Sequence, residues 1–218
     1  MTNNWQRHRL FERTQATDTP QGSQTDYFRY NHAMSLMQQD LAEILLTEDK
    51  IQQRLDELAA QLQHDYAGKD LTLVGVLTGS ILFVADLLRR LPLKLRVDNI
   101  GISSYHGDTR PQGEFVVTKA LRLDVRDRDV LVVDDILDTG ATLLKIRDMI
   151  QALQPRSLRF CVFLEKDISH TGHIQADYVA FKIPNTFVVG YGLDYRERYR
   201  NLPYVATLRP EAIASTQS

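Results

Sequence analysis

The chain has 218 residues, 43% of them apolar and 25% charged, with a formal net charge of -2. That length suits one large domain with peripheral additions, and the near-balanced charge excludes a protein that works mainly by coating nucleic acid or an anionic membrane. Small-molecule chemistry is the expectation that remains.

Residues 1–30 are rich in Gln, Thr, Asn and Arg and sustain neither a helical nor a strand period, so they are expected to form a flexible extension. They contain no apolar stretch of the secretory kind, and no segment of the chain reaches the ~18 apolar residues of a membrane span; a cytoplasmic location is expected. Order is expected from residue 31 onward. A short apolar run leads to Thr47, a candidate N-cap followed by Glu48 and Asp49. Ile51, Leu55, Leu58 and Leu62 then recur at helical spacing, predicting a one-sided helix to about Tyr66.

Beyond it the pattern alternates. LTLVGVL (residues 71–77) reads as a strand buried on both faces and SILFVADLLRRL (residues 80–91) as the helix after it. DVLVVDD, a polar turn, ATLLKIRDMIQAL and SLRFCVFLE repeat that order. Such alternation predicts an α/β fold with a mostly parallel sheet flanked by helices, whose ligands bind at the carboxyl ends of the strands. Cys161, the single cysteine, lies inside the last of these strands and is expected to be a buried structural thiol. Residues 103–115, with two glycines and a proline, read as a long loop of the kind that closes over a site. His170 and His173 lie in the polar loop ISHTGHIQ with no further ligand cluster, and are expected as solvated loop residues rather than a metal pair.

The stretch VLVVDDILDTGATL (residues 130–143) carries the chemistry. Read as a mere strand end, it leaves Asp134 and Asp135 side by side and repelling, with nothing to compensate them. An aspartic protease needs a second Asp-Thr-Gly loop or a symmetric dimer on an all-strand fold, whereas here a helix follows. For a phosphoacceptor receiver domain too little chain follows Asp134. A ribose-phosphate cradle accounts for the whole stretch: backbone N–H groups and hydroxyls of the turn converge at a helix N-terminus suited to a phosphate, while the acids upstream face ribose hydroxyls or a cation.

That stretch resembles the phosphoribosyl pyrophosphate (PRPP) motif of the type I phosphoribosyltransferases. VGVLTGSILFVADLLRRL, ISSYHGDTR and FKIPNTFVVGYGLDYRERYRNLPYV resemble, in order, the pyrophosphate loop, mobile loop and purine-binding segment of the hypoxanthine-guanine phosphoribosyltransferases. The resemblance covers about residues 40–208 and implies a core at about 68–183 with a small hood from about 31–47 and 184–208. It implies an enzyme of purine salvage that takes PRPP and a 6-oxopurine base, uses magnesium, and assembles as a homodimer or homotetramer. Related transferases of other base specificity, xanthine included, and a non-catalytic PRPP sensor are the alternatives, since a fold alone does not set function.

Carried over residue by residue, the resemblance places Asp134 and Asp135 at the ribose hydroxyls, directly or through magnesium. Asp138 takes the place of the catalytic base, and Thr139, Gly140, Ala141 and Thr142 bind the 5'-phosphate with it. Thr78 and Gly79 form the pyrophosphate loop, with the cis peptide expected between them, and Arg200 approaches pyrophosphate. Many relatives carry a basic residue where this chain has Thr78. Ser103, Ser104 and Tyr105 belong to the mobile loop. Lys166 hydrogen-bonds the 6-oxo group, Phe187 stacks on the base, backbone near Val188 reads its edge, and Asp194 attends the second magnesium and the base pocket.

Overall fold

The computed structural model describes residues 37–104, 115–170 and 174–214, with backbone alone at 103 and 104. Residues 1–30, the hood's first residues 31–36, Tyr105 and His173 lie outside the described residues. The chain divides between residues 39 and 40, and the fold below is that of residues 40–218.

Its elements run β1 (Leu41–Leu46), α1 (Glu48–Asp65), β2 (Leu71–Leu77), α2 (Ile81–Arg90), β3 (Arg96–Ser104), β4 (Phe115–Lys119), β5 (Asp129–Leu137), α3 (Ala141–Gln151), β6 (Ser157–Lys166), β7 (Tyr178–Ile183), β8 (Val205–Leu208) and α4 (Pro210–Ala214). Six strands form one sheet in the order β4-β3-β2-β5-β6-β7, parallel except for β4 at the edge. β1 and β8 pair antiparallel in a separate two-stranded sheet.

The central strands are apolar on both faces over most of their length because each face has its own core. Leu71 and Leu73 of β2, Leu131 and Val133 of β5, and Cys161 and Phe163 of β6 pack with the buried residues of α1 and α2. Val74, Val76, Val130, Val132, Phe160 and Val162 point the other way, onto Leu143, Ile146 and Ile150 of α3. Burial on two faces raises the Cys161 thiol well above its ordinary range, which suits a structural role.

In α1, Thr47 caps the helix with its hydroxyl accepting from Lys50 N at 3.4 Å. Ile51, Leu55, Leu58 and Leu62 are fully buried. A cap contributes about 1 kcal/mol, whereas each such side chain contributes ~1.5–3 kcal/mol, so the apolar stripe holds this helix. Residues 184–208 are tied to the sheet by aromatic packing: the Tyr191 ring lies 4.7 Å from that of Phe163 between centroids, and Phe163 also meets Phe83 of α2 at 5.4 Å. Tyr191 also donates its hydroxyl proton to Asp86 at 2.6 Å.

Ser103 and Ser104, expected in the long loop, are strand residues of β3 instead, paired with Val116 and Phe115. The Gly and Pro punctuation that suggested a loop begins only after them, and β4 returns antiparallel to supply a partner that no local pattern announced.

Candidate active site

β5 delivers the acids to the carboxyl edge of the sheet. Asp134 still pairs with Val162 of β6, and Gly140, in the left-handed region at φ 88°, turns the chain into α3. No side chain caps α3 and no acid occupies its first turn, so its leading N–H groups are free for an anion. Thr139, Ala141 and Thr142 surround this opening, with Thr139 exposed.

Asp134 is 5% exposed, and its Oδ1 accepts from Asp135 N at 2.9 Å. Burial, and then the charge of Asp135, push its carboxyl well above the ordinary carboxylate range. Burial also raises Asp135, against an opposing pull from hydrogen bonds and from the Arg200 guanidinium. Two raised carboxyls at a strand end are held ready for a positive or hydroxylic partner.

The facing wall comes from the turn after β2 and from residues 190–200. The cis peptide lies at Leu77–Thr78, one bond earlier than expected. What requires glycine at position 79 is space: a Cβ there would fall inside the Asp135 carboxylate, so the close approach belongs to the Gly79 Cα. Gly192, at φ 99°, lies against the Gly79 carbonyl with no room for a side chain. Arg200 donates through Nη1 to Gly192 O at 2.8 Å and through Nη2 to Glu197 Oε2 at 3.0 Å, and Nη2 forms an ion pair with Asp194 Oδ1 at 2.8 Å. Asp194 Oδ2 in turn accepts from Glu197 N at 2.9 Å.

These walls enclose a cavity of about 390 Å³ that Thr78, Gly79, Asp134, Asp135, Asp138, Thr139, Gly140, Thr142, Asp194 and Arg200 line together. Lys166, Phe187 and Val188 do not line it. Lys166 joins it through Asp138, with Nζ 2.7 Å from Asp138 Oδ2; the lysine side chain is 11% exposed and the aspartate 45%. Phe187 is half exposed and meets Tyr195 edge to face, leaving ring surface open to solvent, while Val188 is buried.

A phosphoribosyl transferase domain model matches residues 42–196. A curated hypoxanthine-guanine phosphoribosyltransferase of Staphylococcus aureus is 48% identical over 179 residues, 82% of this chain and 100% of the relative. The chain belongs to the phosphoribosyl transferase family. The crystal structure of a hypoxanthine phosphoribosyltransferase from Staphylococcus aureus matches with a TM-score of 0.76 at 48% identity, over 81% of this chain and 96% of that one. A hypoxanthine-guanine phosphoribosyltransferase from Bacillus anthracis matches with a TM-score of 0.74 at 36% identity, over 78% of this chain and 100% of that one. The expected type I phosphoribosyltransferase fold is therefore the fold of the chain.

A further residue of this phosphoribosyl transferase differs from the sequence expectation. His170 is not a solvated loop side chain: it is 12% exposed, and its Nδ1 lies 2.6 Å from the carbonyl oxygen of Asp138. A histidine in a polar loop carries no periodicity, and the partner that buries it stands 32 residues earlier, so no signal in the sequence marked it.

Proposed function

We propose that the chain transfers 5-phosphoribosyl from PRPP to N9 of hypoxanthine or guanine, forming IMP or GMP and releasing pyrophosphate. The observation that carries this reading is the Asp138–Lys166 pair, whose aspartate lines the same cavity as Asp134, Asp135 and the turn of Thr139, Gly140 and Thr142. As the bond from C1' to pyrophosphate breaks, the anomeric carbon becomes oxocarbenium-like, N9 bonds to it and the purine sheds a proton. Asp138 stands where that proton can be taken or shared. Lys166, a donor only, suits the 6-oxo oxygen of the same base, and exposed Phe187 offers a ring face for stacking.

Asp134 and Asp135 fit magnesium, a hard cation that binds through one or two carboxylates together with substrate oxygens. Their burial raises both carboxyls, and a cation nearby relieves that. Asp134 and Asp135 would hold magnesium where its charge could offset that of the diphosphate leaving group. Asp194 differs, because Arg200 and the Glu197 N–H already engage both of its oxygens. The reading asks for small-molecule substrates only, and no helix among the described residues is long and apolar enough to cross a membrane.

Pyrophosphate release, measured with PRPP, magnesium and each of hypoxanthine, guanine, xanthine and adenine, tests the reading. Adenine presents an amino group donor to donor against Lys166, so its kcat/KM should be lower by ~100-fold or more, two lost or opposed interactions at ~1.4 kcal/mol per tenfold. Lys166→Ala should weaken use of the base far more than binding of PRPP. Bound PRPP without release would make the chain a sensor, and equal use of adenine would remove Lys166 as the reader.

A further inference from the structure

We infer that His170, on the loop after β6, is a positioning residue for Asp138, an inference that rests on the transferase reading above. A carbonyl oxygen only accepts, so the 2.6 Å contact from His170 Nδ1 to Asp138 O requires the proton on Nδ1. The other ring nitrogen, Nε2, lies 3.5 Å from Glu165 Oε1, a contact that attracts only when Nε2 carries a proton as well, and Lys182 Nζ lies 3.2 Å from Glu165 Oε2. Glu165 is 14% exposed and stands opposite Lys182 in the β6–β7 register, so the sheet fixes the carboxylate beside the ring. Ile174 leaves no space for a side chain at Gly140, and His170 Cβ borders the same spot.

The geometry matters because Asp138 has few other restraints. Its carboxylate is 45% exposed, and among the described residues Lys166 is the partner that grips it. Two residues on, Gly140 gives the turn conformational latitude. The hydrogen bond from His170 fixes the peptide plane of Asp138, and with it the direction in which the Cα–Cβ bond carries the carboxylate. Displacement of about 1 Å in a reacting group costs up to ~100-fold in rate. His170 never touches substrate in this arrangement; it sets where the acid that does so stands.

Steady-state kinetics of the full chain with three variants tests this. The Asn side chain places an N–H where Nδ1–H was, whereas Gln reaches the position of Nε2 and leaves Asp138 O unpaired. His170→Ala and His170→Gln should each lower kcat about tenfold, the scale of one lost hydrogen bond, with the KM for PRPP within about twofold, and His170→Asn should recover kcat to within about threefold. Melting temperatures measured alongside should not follow that Asn–Gln split. Long-range proton–nitrogen spectra of the wild-type chain read the contact without turnover and should show Nδ1 protonated. A bare Nδ1, an unaltered kcat in His170→Ala, or losses that follow melting temperature overturn the assignment. An inactive wild-type chain overturns the transferase reading, while the Nδ1 signal still decides whether His170 holds Asp138.

Discussion

Asp98 and Asp134 are aspartates of the same parallel sheet, 3% and 5% exposed, and they meet opposite fates. Burial alone would raise both. Around Asp98, however, the N–H groups of Leu123, Asn99 and Arg122 donate at 2.6–2.8 Å, and Lys119 Nζ stands at 3.3 Å, so its carboxyl is brought down to about 2. Among the described residues, Asp134 accepts from the N–H of Asp135 and faces that residue's carboxylate, so its own carboxyl stays raised. Burial does not distinguish a structural acid from a functional one; the donors around it do. Asp98 ends its hydrogen bonding within the protein and fastens residues 122 and 123, just past β4, to β3, while Asp134 keeps capacity for something that arrives.

The comparison breaks most readily at Asp98. Asp98→Asn replaces an acceptor by a donor facing backbone N–H groups and should cost about 3 kcal/mol, or ~6–12 °C in Tm near pH 7. Its depressed carboxyl contributes stability that is present above the unfolded value of ~3.9 and lost as pH falls through about 2, so the deficit should be constant from pH 8 to 5 and shrink below ~4. A Tm within ~2 °C of wild type would show that the donors do not hold the fold.

Next in size is Asp138, the half-exposed acid of the same edge. Asp138→Asn should lower kcat ~100-fold or more in steady-state assays while Tm moves by less than ~2 °C, since the aspartate is half exposed and the Asn oxygen still accepts from Lys166. Near-normal turnover would remove Asp138 as the base.

Asp134→Asn should give the smallest and most telling change. A raised carboxyl destabilises the native state above its folded pKa, and that penalty disappears as pH falls through it. The variant should therefore melt higher than wild type near pH 7.5, by on the order of 1 kcal/mol or ~3 °C, and the gain should fade as pH is lowered. PRPP binding, followed by calorimetry with magnesium, should weaken at the same time. A lower Tm at neutral pH would mean that Asp134 is as well satisfied as Asp98.

The elements that could be read from the chain are those whose evidence is local. The strands at 71–77 and within 129–137 are unbroken apolar runs, the helix at 48–65 repeats its stripe every three or four residues behind a Thr47 cap, and the Asp-Thr-Gly-Ala-Thr turn sits between a strand and a helix. β4 and the β1–β8 pair lack such evidence, β1 and β4 being short and largely exposed and β8 only four residues long, and they exist because distant chain returns beside them. The same division runs through the site. Asp134, Asp135, Asp138 and Lys166 could be placed on strand ends by counting residues, since strand direction alone carries them to one edge. Which carboxylate is satisfied, which peptide is cis, why position 79 has no room for a side chain and what His170 holds depend on partners many residues away. Hydrophobic periodicity is written in neighbours along the chain, whereas the environment of a buried polar group is written by whatever segment folds back against it.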